Sequence, residues 1–200
     1  MNLLLVRIEP FNGSSKRCRV VIEGACDICL YRSEVRRFGW QEGDEISSEV
    51  YDSIIRDILI PRAKQRAIHL LEQQDRTEAG LRNKLSWGGY PPVVIDEVIS
   101  YLRLRHYIDD ERYARTYVEY HKNSASRRKL RDNLTQKGVD KELSSRILEE
   151  IYDSDEKGMI LELMRKRRYT KDEADDKARS SMFRYLISRG FQYDDFRDML

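Results

Sequence analysis

"LRNKLSWGGY", residues 81–90, is the stretch that decides the fold, because its pattern returns twice further along the chain. The later copies are "LRDNLTQKGV" at 130–139 and "MFRYLISRGF" at 182–191. Each copy has a large apolar residue, then a leucine at plus four, a glycine at plus eight and an apolar residue at plus nine. The residues predicted to form these structural corners are Leu81, Leu85, Gly89, Leu130, Leu134, Gly138, Met182, Leu186 and Gly190.

The repeated pattern predicts the corner at which a helix ends. Two large residues four positions apart lie on one face of a helix, and a glycine at the end adopts a left-handed conformation without steric cost. The apolar residue that follows folds back over the last turn. The first residues of the copies, Leu81, Leu130 and Met182, are 49 and 52 residues apart, and periods of this size are typical of stacked supersecondary repeats.

The rest of the chain extends this prediction to a mainly α protein. Apolar residues recur at helical spacing on both sides of each corner, whereas the first strands, "NLLLVRI" and "RCRVVIE", are rich in Val, Leu and Ile and alternate with period two. We predict a small N-terminal antiparallel β-sheet with short helices at 1–60, followed by three tandem three-helix repeats at 61–107, 108–152 and 153–200.

Capping residues predict where the helices begin. Ser, Thr and Asp at the N-cap accept a hydrogen bond from the first turn, proline suits the first helical position, and Thr170 with Glu173 has the spacing of a capping box. The predicted starts are Ser33, Ser47 or Ser48, Pro61, Thr77, Pro91 or Pro92, Asp109 or Asp110, Ser154 and Thr170.

Composition restricts the classes of function. The 200 residues include 36% charged residues, yet 37 basic and 35 acidic side chains leave a net charge of only +2, so bulk charge does not predict strong binding to nucleic acid. No apolar run approaches the ~18 residues of a membrane span, and "MNLLLVRIEP" lacks the features of a secretory signal. Three cysteines in the first 30 residues fit a reducing compartment. We expect a cytoplasmic protein without membrane contacts.

Motifs for metal or catalytic chemistry are weak. Cys26 and Cys29 form a C-x-x-C motif, but a zinc site needs four ligands, the only other sulfur ligand is Cys18, and residues three apart in a strand point to opposite faces. The histidines are scattered, without a nucleophile at catalytic spacing. We therefore favour strand packing for the cysteines, and we expect no metal, no cofactor and no catalytic residue.

The stretch "YIDDERYA" at 107–114 contains acids at 109–111 and opens a series of tyrosines that continues to residue 120. The acids and the tyrosines each allow two interpretations. The acids at 109–111 fall in the first turn of a predicted helix, where negative charge meets the positive end of the dipole, so capping is favoured over acid–base chemistry. Tyr113, Tyr117 and Tyr120 could stack on bases, but spacings of four and three are more often those of a buried face. We predict a buried face.

Two basic clusters are the candidate functional sites. They comprise Arg127, Arg128, Lys129 and Arg131 in "SASRRKLR", and Arg165, Lys166, Arg167 and Arg168 in "MRKRRYTK". Two interpretations stay open: a solvated face neutralised by acids such as Asp132 and Glu173, or a surface for an anionic partner. Their placement near corresponding helix junctions of two repeats adds weight to the second.

At this point the sequence resembles a known family. "AIHLLEQQDRTEAGLRNKL", "VIDEVISYLRLRHYIDDERYARTYVEYH" and "RRKLRDNLTQKGV" are similar to the RecX family, bacterial regulators of the RecA recombinase. The similarity runs from about Ala63 to the end, and it is looser in the N-terminal strands and in "FGWQEGDEI". Gly80 stands where the family usually has a helix-forming acid, and Trp87 stands where a polar residue is usual.

The resemblance implies both a shape and a function. Members of the family are tandem three-helix repeats that form a curved, elongated array, and they look like non-enzymatic inhibitors that lodge in the groove of a RecA filament on single-stranded DNA. This chain would then be a monomer that binds the RecA filament, with weak contacts to single-stranded DNA, and so modulates DNA repair, recombination and the SOS response. The family has no catalytic residues to transfer, so the basic clusters are inferred from this sequence alone.

Two other functions remain as alternatives. The helix pairs could read DNA by themselves as helix-turn-helix elements, which requires tight binding to naked DNA at moderate salt. The repeats could instead form a scaffold for an unrelated protein. Inhibition of the recombinase ATPase, a salt series of DNA binding, and the protein recovered from a bacterial lysate would distinguish the three.

Overall fold

The structure, a computed structural model, describes residues 2–152 and 155–200. It separates into two compact units, with Ile108 ending the first and Asp109 opening the second. The predicted cap Ser154, and Asp153 at the predicted start of the third repeat, lie outside the described residues.

A four-stranded antiparallel sheet opens the first unit. Its strands are β1 (Asn2–Pro10), β2 (Arg17–Glu23), β3 (Ile28–Tyr31) and β4 (Glu45–Ser47), in the order β3-β2-β1-β4. Cys18, Val20 and Ile22 alternate along β2 and are all buried, as the period-two pattern predicts. The pairing of β1 with β2 shifts between Leu5 and Arg7, which marks a β-bulge. The predicted N-terminal antiparallel sheet is confirmed.

Helices make up most of the remaining chain, which confirms the mainly α fold class. Their bounds are α1 (Arg32–Phe38), α2 (Ser48–Ile54), α3 (Ile60–Gln73), α4 (Glu78–Trp87), α5 (Pro92–Leu104), α6 (Asp110–His121), α7 (Arg127–Gln136), α8 (Lys141–Ile151), α9 (Glu156–Lys166), α10 (Asp176–Ser188) and α11 (Tyr193–Phe196).

The predicted helix start at Pro61 is partly correct, because Pro61 lies in the first turn of α3 but the chain before it is already helical. The chain is helical without a break from Ser48 to Gln73, and Ile55–Leu59 form a π-helical turn in which the Ile60 N–H donates to the Ile55 carbonyl. A proline inside a helix removes one hydrogen bond and crowds the carbonyl four residues earlier. The wider turn directly before Pro61 accommodates it, so the proline does not mark a boundary.

Two other predicted caps are wrong for reasons of local hydrogen bonding. Helix α1 begins before Ser33, because the Glu34 carboxylate accepts a 2.7 Å hydrogen bond from the Tyr31 N–H and so fixes the first turn. Thr170 makes no capping hydrogen bond, and Asp175 caps α10 instead, accepting from the Ala178 N–H at 2.7 Å.

One hydrophobic core joins the sheet to the first helices. It contains β-sheet residues such as Leu5 and Val20, together with Leu59, Leu81 and Ile99, which are all 2% exposed or less. The predicted boundary between 60 and 61 therefore falls inside both a continuous helix and a continuous core. The sheet is docked on the first three-helix group, α3–α5, rather than joined to it by a linker.

The second unit contains two further three-helix groups, each with its own core. Helix α6 packs on α7 and α8 around Ala114, Val118, Leu130 and Ile147, among others. Helices α9–α11 enclose a separate cluster of buried residues, namely Met159, Ile160, Leu163, Met164, Met182, Leu186, Phe191 and Phe196.

The three sequence corners fold in the same way. In the first corner Leu81 and Leu85 are fully buried, Gly89 has a φ of +85°, and its N–H donates to the Ser86 carbonyl at 2.9 Å, while the Tyr90 N–H donates to the Leu85 carbonyl at 3.3 Å. This is the Schellman arrangement of a helix end. The leucine at plus four therefore supplies the carbonyl that accepts a hydrogen bond from the N–H of the residue at plus nine.

The other two corners repeat these hydrogen bonds. The Val139 N–H donates to the Leu134 carbonyl at 3.0 Å and the Phe191 N–H to the Leu186 carbonyl at 3.2 Å. Their glycines, Gly138 and Gly190, have φ values of +83° and +90°. The plus-nine residues Val139 and Phe191 are buried, which places the side chain after each glycine against its own three-helix group.

Gly190 also allows a close approach between two helix groups. A Cβ at this position would overlap the Cβ of Lys129 and lie 2.5 Å from the Oγ of Ser126, at the start of α7. The Ser126 N–H donates to the Arg189 carbonyl at 3.0 Å. The third corner is therefore docked on the second group, and any side chain at Gly190 would separate them.

We expect Gly190→Ala to lower the free energy of unfolding by about 2–5 kcal/mol, from about 1–2 kcal/mol for a left-handed non-glycine residue and about 1–3 kcal/mol for overpacking. Urea unfolding followed by circular dichroism measures the loss. Gly39→Ala is the matched control, because Gly39 has a φ of +70° but a Cβ there would have no neighbour within 4 Å in the described chain. Equal losses in the two variants would contradict the close approach.

Candidate functional site

The first basic cluster lies at the start of α7, where hydrogen bonds to residues before and after it in the chain fix its backbone. We call Arg127, Arg128, Lys129 and Arg131 the α7 cluster. Ser126 caps the helix, its Oγ accepting from the Lys129 N–H at 3.2 Å, and the Arg127 N–H donates to Glu156 Oε1 at 3.0 Å. Glu156 also accepts from the Tyr152 hydroxyl at 3.1 Å. The backbone of the cluster is thus fixed by residues on both sides.

The four cations of the α7 cluster differ in their surroundings. Arg127 lies 3.7 Å from Glu149, and Arg128 lies 4.0 Å from Asp132, distances at which exposed ion pairs contribute little. Lys129 is half-buried against the third corner. Arg131 is exposed and forms no ion pair with any residue the structure describes. Arg128 and Arg131 are therefore the cations most available to an anionic partner.

The second basic cluster lies at the end of α9, and we call Arg165, Lys166, Arg167 and Arg168 the α9 cluster. Arg165 and Lys166 share the Glu162 carboxylate, at 2.7 and 3.6 Å. The hydrogen bond from Arg165 lowers the pKa of Glu162 to about 2. Half of the cluster is thus neutralised on the exposed face of its own helix, as the interpretation of a solvated face predicts.

The other half of the α9 cluster is held by different means. The Arg167 guanidinium lies 3.7 Å from the centre of the Tyr185 ring, a cation–π contact that fixes its plane. Arg168 has a φ of +56°, and its N–H donates to the Arg165 carbonyl at 2.9 Å while the Tyr169 N–H donates to the Met164 carbonyl at 3.0 Å. Helix α9 therefore ends as the glycine corners do, but with an arginine in the left-handed position.

Arg189 links the two clusters. Its carbonyl accepts the Ser126 N–H directly before the α7 cluster, and its guanidinium lies 5.1 Å from the Tyr185 ring that Arg167 also covers. Arg189 belongs to the third corner, "MFRYLISRGF", so the folding of that corner gives both basic stretches a common neighbour. Sequence reasoning missed Arg189 and Tyr185, and the only signal for them was their position inside the repeated pattern.

The predicted tyrosine face is only partly correct. Ala114 and Val118 are the residues of α6 that are fully buried, while Tyr113 and Tyr117 are half-buried at the edge, with their ring centres 6.3 Å apart. Tyr120 is 83% exposed, so the prediction of a buried face is wrong for it. Ala114 and Val118 form the buried stripe of α6, in one cluster with residues of α7 and α8 such as Leu130 and Ile147.

The acids before this stripe serve as caps and ion-pair partners. Asp109 caps α6, its Oδ1 accepting from the Arg112 N–H at 2.9 Å, which confirms the capping prediction. Glu111 accepts from Arg115 at 2.9 Å and from Arg146 at 3.1 Å. These contacts tie α6 to α8 and give the acids a structural role.

The cysteines lie in or beside the N-terminal sheet. Cys18 and Cys29 are buried in β2 and β3, whereas Cys26 is exposed before β3, and burial raises the pKa of the Cys29 thiol. Among the residues that the structure describes, no group of three or more His, Cys, Asp or Glu is placed to hold a metal ion.

Within 2–152 and 155–200, no helix is both long enough and apolar enough to cross a membrane.

Two of the three-helix groups match models of known domain families. Residues 63–102 match the model of the first three-helix domain of RecX, and residues 109–147 match the model of the second. Together with the fold, these matches define a protein built of three-helix domains.

Comparison with curated and solved proteins extends the match to nearly the whole chain. A regulatory protein RecX of Caldanaerobacter subterraneus subsp. tengcongensis is 30% identical over 200 residues, covering 99% of this chain and 98% of that protein. One from Clostridium botulinum strain Eklund 17B is 25% identical and covers 98% and 94%. The chain belongs to the RecX family, which confirms the resemblance of its sequence motifs.

Two crystal structures share the fold. A structure of regulatory protein RecX aligns with a TM-score of 0.60 and 22% identity over 97% of each chain. The RecX of Lactobacillus salivarius aligns with a TM-score of 0.55 and 25% identity over 70% of this chain and 93% of that one. At 22% identity, the alignment with the first of these structures supports a shared fold and nothing further.

We expect Arg168→Gly to raise the free energy of unfolding by about 0.5–1 kcal/mol. The strain of a left-handed non-glycine residue costs more free energy than the additional chain entropy that glycine loses on folding. Thermal unfolding measures the gain. Arg131→Gly is the matched control: the same replacement inside α7 should cost about 1 kcal/mol. Destabilisation by both variants would show that the Arg168 side chain contributes more than its backbone costs.

Proposed function

We propose that this chain binds filaments of the RecA recombinase on single-stranded DNA and inhibits their ATPase and strand-exchange activities without catalysing a reaction itself. Membership of the RecX family supports the regulatory role. The single observation that carries the proposed site is the joining of two basic clusters at Arg189, because a filament on DNA is a polyanion that fixed cations recognise.

The repeats would act together on the filament. In this proposal the groups at 61–107, 108–152 and 153–200 are three copies of one binding element, and the chain works as a monomer in the cytoplasm. A partner that contacts several subunits of a polymer gains by effective concentration, so modest contacts per repeat give tight binding overall. The net charge of +2 fits such distributed contacts better than a strong grip on naked DNA.

We expect the chain to inhibit the single-stranded-DNA-dependent ATPase of its cognate RecA at substoichiometric amounts, because one regulator blocks many subunits of a filament. Titration into preformed filaments measures this. Adding more single-stranded DNA is the control: inhibition that persists shows action on the filament rather than removal of free DNA. No effect up to equimolar protein would contradict the proposal.

We expect Arg128→Glu with Arg131→Glu to weaken the inhibition about tenfold, since two exposed contacts are replaced by repulsion. Arg127 and Lys129 are left unchanged, because Arg127 lies 3.7 Å from Glu149 and Lys129 is half-buried against the third corner. Lys177→Glu with Arg184→Glu is the matched control, with the same change of charge at two exposed positions of α10. Circular dichroism of both variants should match that of the unchanged chain.

Equal inhibition by the two double variants would show that the α7 cluster is a solvated surface. A loss shared by both would indicate that only the net charge of the second unit matters.

A further inference from the structure

A cleft in the first unit combines cations with exposed aromatic rings. It is lined by residues of β2 and β3, of α3 and of the first corner, and its volume is about 560 Å³, within the range of about 300–1,000 Å³ that is usual for ligand sites. The side chains that matter are Arg17, Tyr31, Arg62, Arg66, Lys84 and Trp87. None of them belongs to the α7 or α9 cluster.

The cleft is positively charged. Four of its side chains are cations, and no Asp or Glu occurs among the described residues that line it. Arg62 is paired with Glu34, while Arg66 and Lys84 are exposed and form no ion pair in the described chain. Local charge of one sign in a concave site attracts an anion even when the net charge of the whole protein is small.

Arg17 is fixed in position before any ligand arrives. Its guanidinium donates a hydrogen bond to the Gly88 carbonyl and lies 4.7 Å from the centre of the Phe11 ring. A cation held in this way loses little conformational freedom when it meets an anion. It also neutralises a helix end that would otherwise repel one.

The aromatic rings of the cleft alternate with its cations. Trp87 is 69% exposed, and the Lys84 ammonium lies 4.9 Å from its ring centre. The Tyr31 ring is 42% exposed, with the Arg62 guanidinium 4.6 Å from its centre. A face that offers flat rings for stacking and cations for phosphates has the chemistry of sites for single-stranded nucleic acid.

A rigid support holds Trp87. A Cβ at the neighbouring Gly89 would lie 2.8 Å from both Phe11 Cζ and Cys29 Cβ, so the corner is docked directly on the sheet. The exposed ring therefore stands on a fixed backbone, and a base that stacks on it does not have to order a loop first.

We propose that this cleft binds a segment of single-stranded nucleic acid, with one base stacked on Trp87 and the neighbouring phosphates held by Arg66 and Lys84. Duplex DNA is a poor occupant, because its bases are stacked on one another and do not present a free face to Trp87. The inference goes beyond the proposed function, since it places a nucleic-acid contact on the first unit that needs no recombinase.

Fluorescence anisotropy of a labelled oligothymidylate at low salt tests the aromatic part of this proposal. Trp87→Ala should weaken binding about tenfold, which is typical of the loss of one stacked base, and Trp87→Phe should restore most of it. Because Trp87 is largely exposed, both variants should unfold at the same temperature as the unchanged chain. Equal affinity for the three proteins, or equal affinity for a duplex of the same length, overturns the proposal.

Charge reversal tests the phosphate contacts. Arg66→Glu with Lys84→Glu should weaken binding and reduce the slope of log affinity against log salt by about 0.7 for each phosphate that is no longer bound. Arg36→Glu with Arg105→Glu is the matched control, at cations of the same unit that do not line the cleft, and it should leave that slope unchanged. Equal slopes in the two double variants contradict the proposal.

Two further measurements distinguish this cleft from a simple anion site and from the basic clusters of the second unit. Inorganic phosphate should compete only weakly with the oligonucleotide, and full displacement by it would show a simple anion site. Photo-cross-linking of an iodouracil-containing strand should label Trp87 or Tyr31, and labels confined to the α7 and α9 clusters would overturn the assignment. If the chain inhibits the recombinase but fails these tests, only the present inference is lost.

Discussion

The fold depends on one pair of hydrogen bonds, made where a helix stops. At each sequence corner the N–H of the left-handed glycine and the N–H of the next residue turn back to carbonyls of the last turn, at distances between 2.9 and 3.3 Å. These bonds satisfy carbonyls that a helix end leaves without partners. They also set the direction in which the chain leaves, so that the following helix returns across the one just finished. The three-helix groups all follow from this geometry.

Much of this architecture is local and could be predicted from sequence. The corner residues act within ten positions of one another, and period-two alternation in β2 needs only Cys18, Val20 and Ile22. The predictions that were wrong share a cause. In each case the outcome depends on surrounding structure that the sequence pattern does not contain. Pro61 is tolerated inside a helix because the turn before it widens, and Tyr120 is exposed because α8 packs on the smaller Ala114 and Val118.

The candidate site was predictable only in part, for a related reason. Runs of cations such as Arg165–Arg168 are visible in the sequence, but their partners are not. Glu162 neutralises Arg165 from the preceding turn, whereas Tyr185 fixes Arg167 from another helix. Arg189 joins the two clusters across a long stretch of chain. The cleft beside Trp87 was missed altogether, because its residues come from a sheet, a long helix and a corner that are distant in sequence.

The continuous core of the first unit has a consequence for synthesis. Strand β4 emerges from the ribosome well before α5, so the sheet can pair completely while later members of the same core, such as Ile99, are still being translated. Until Leu102 has been translated, the nascent chain exposes apolar surface of the kind that aggregates or binds chaperones. Slow translation through the first hundred codons would lengthen that interval, and fast translation would shorten it.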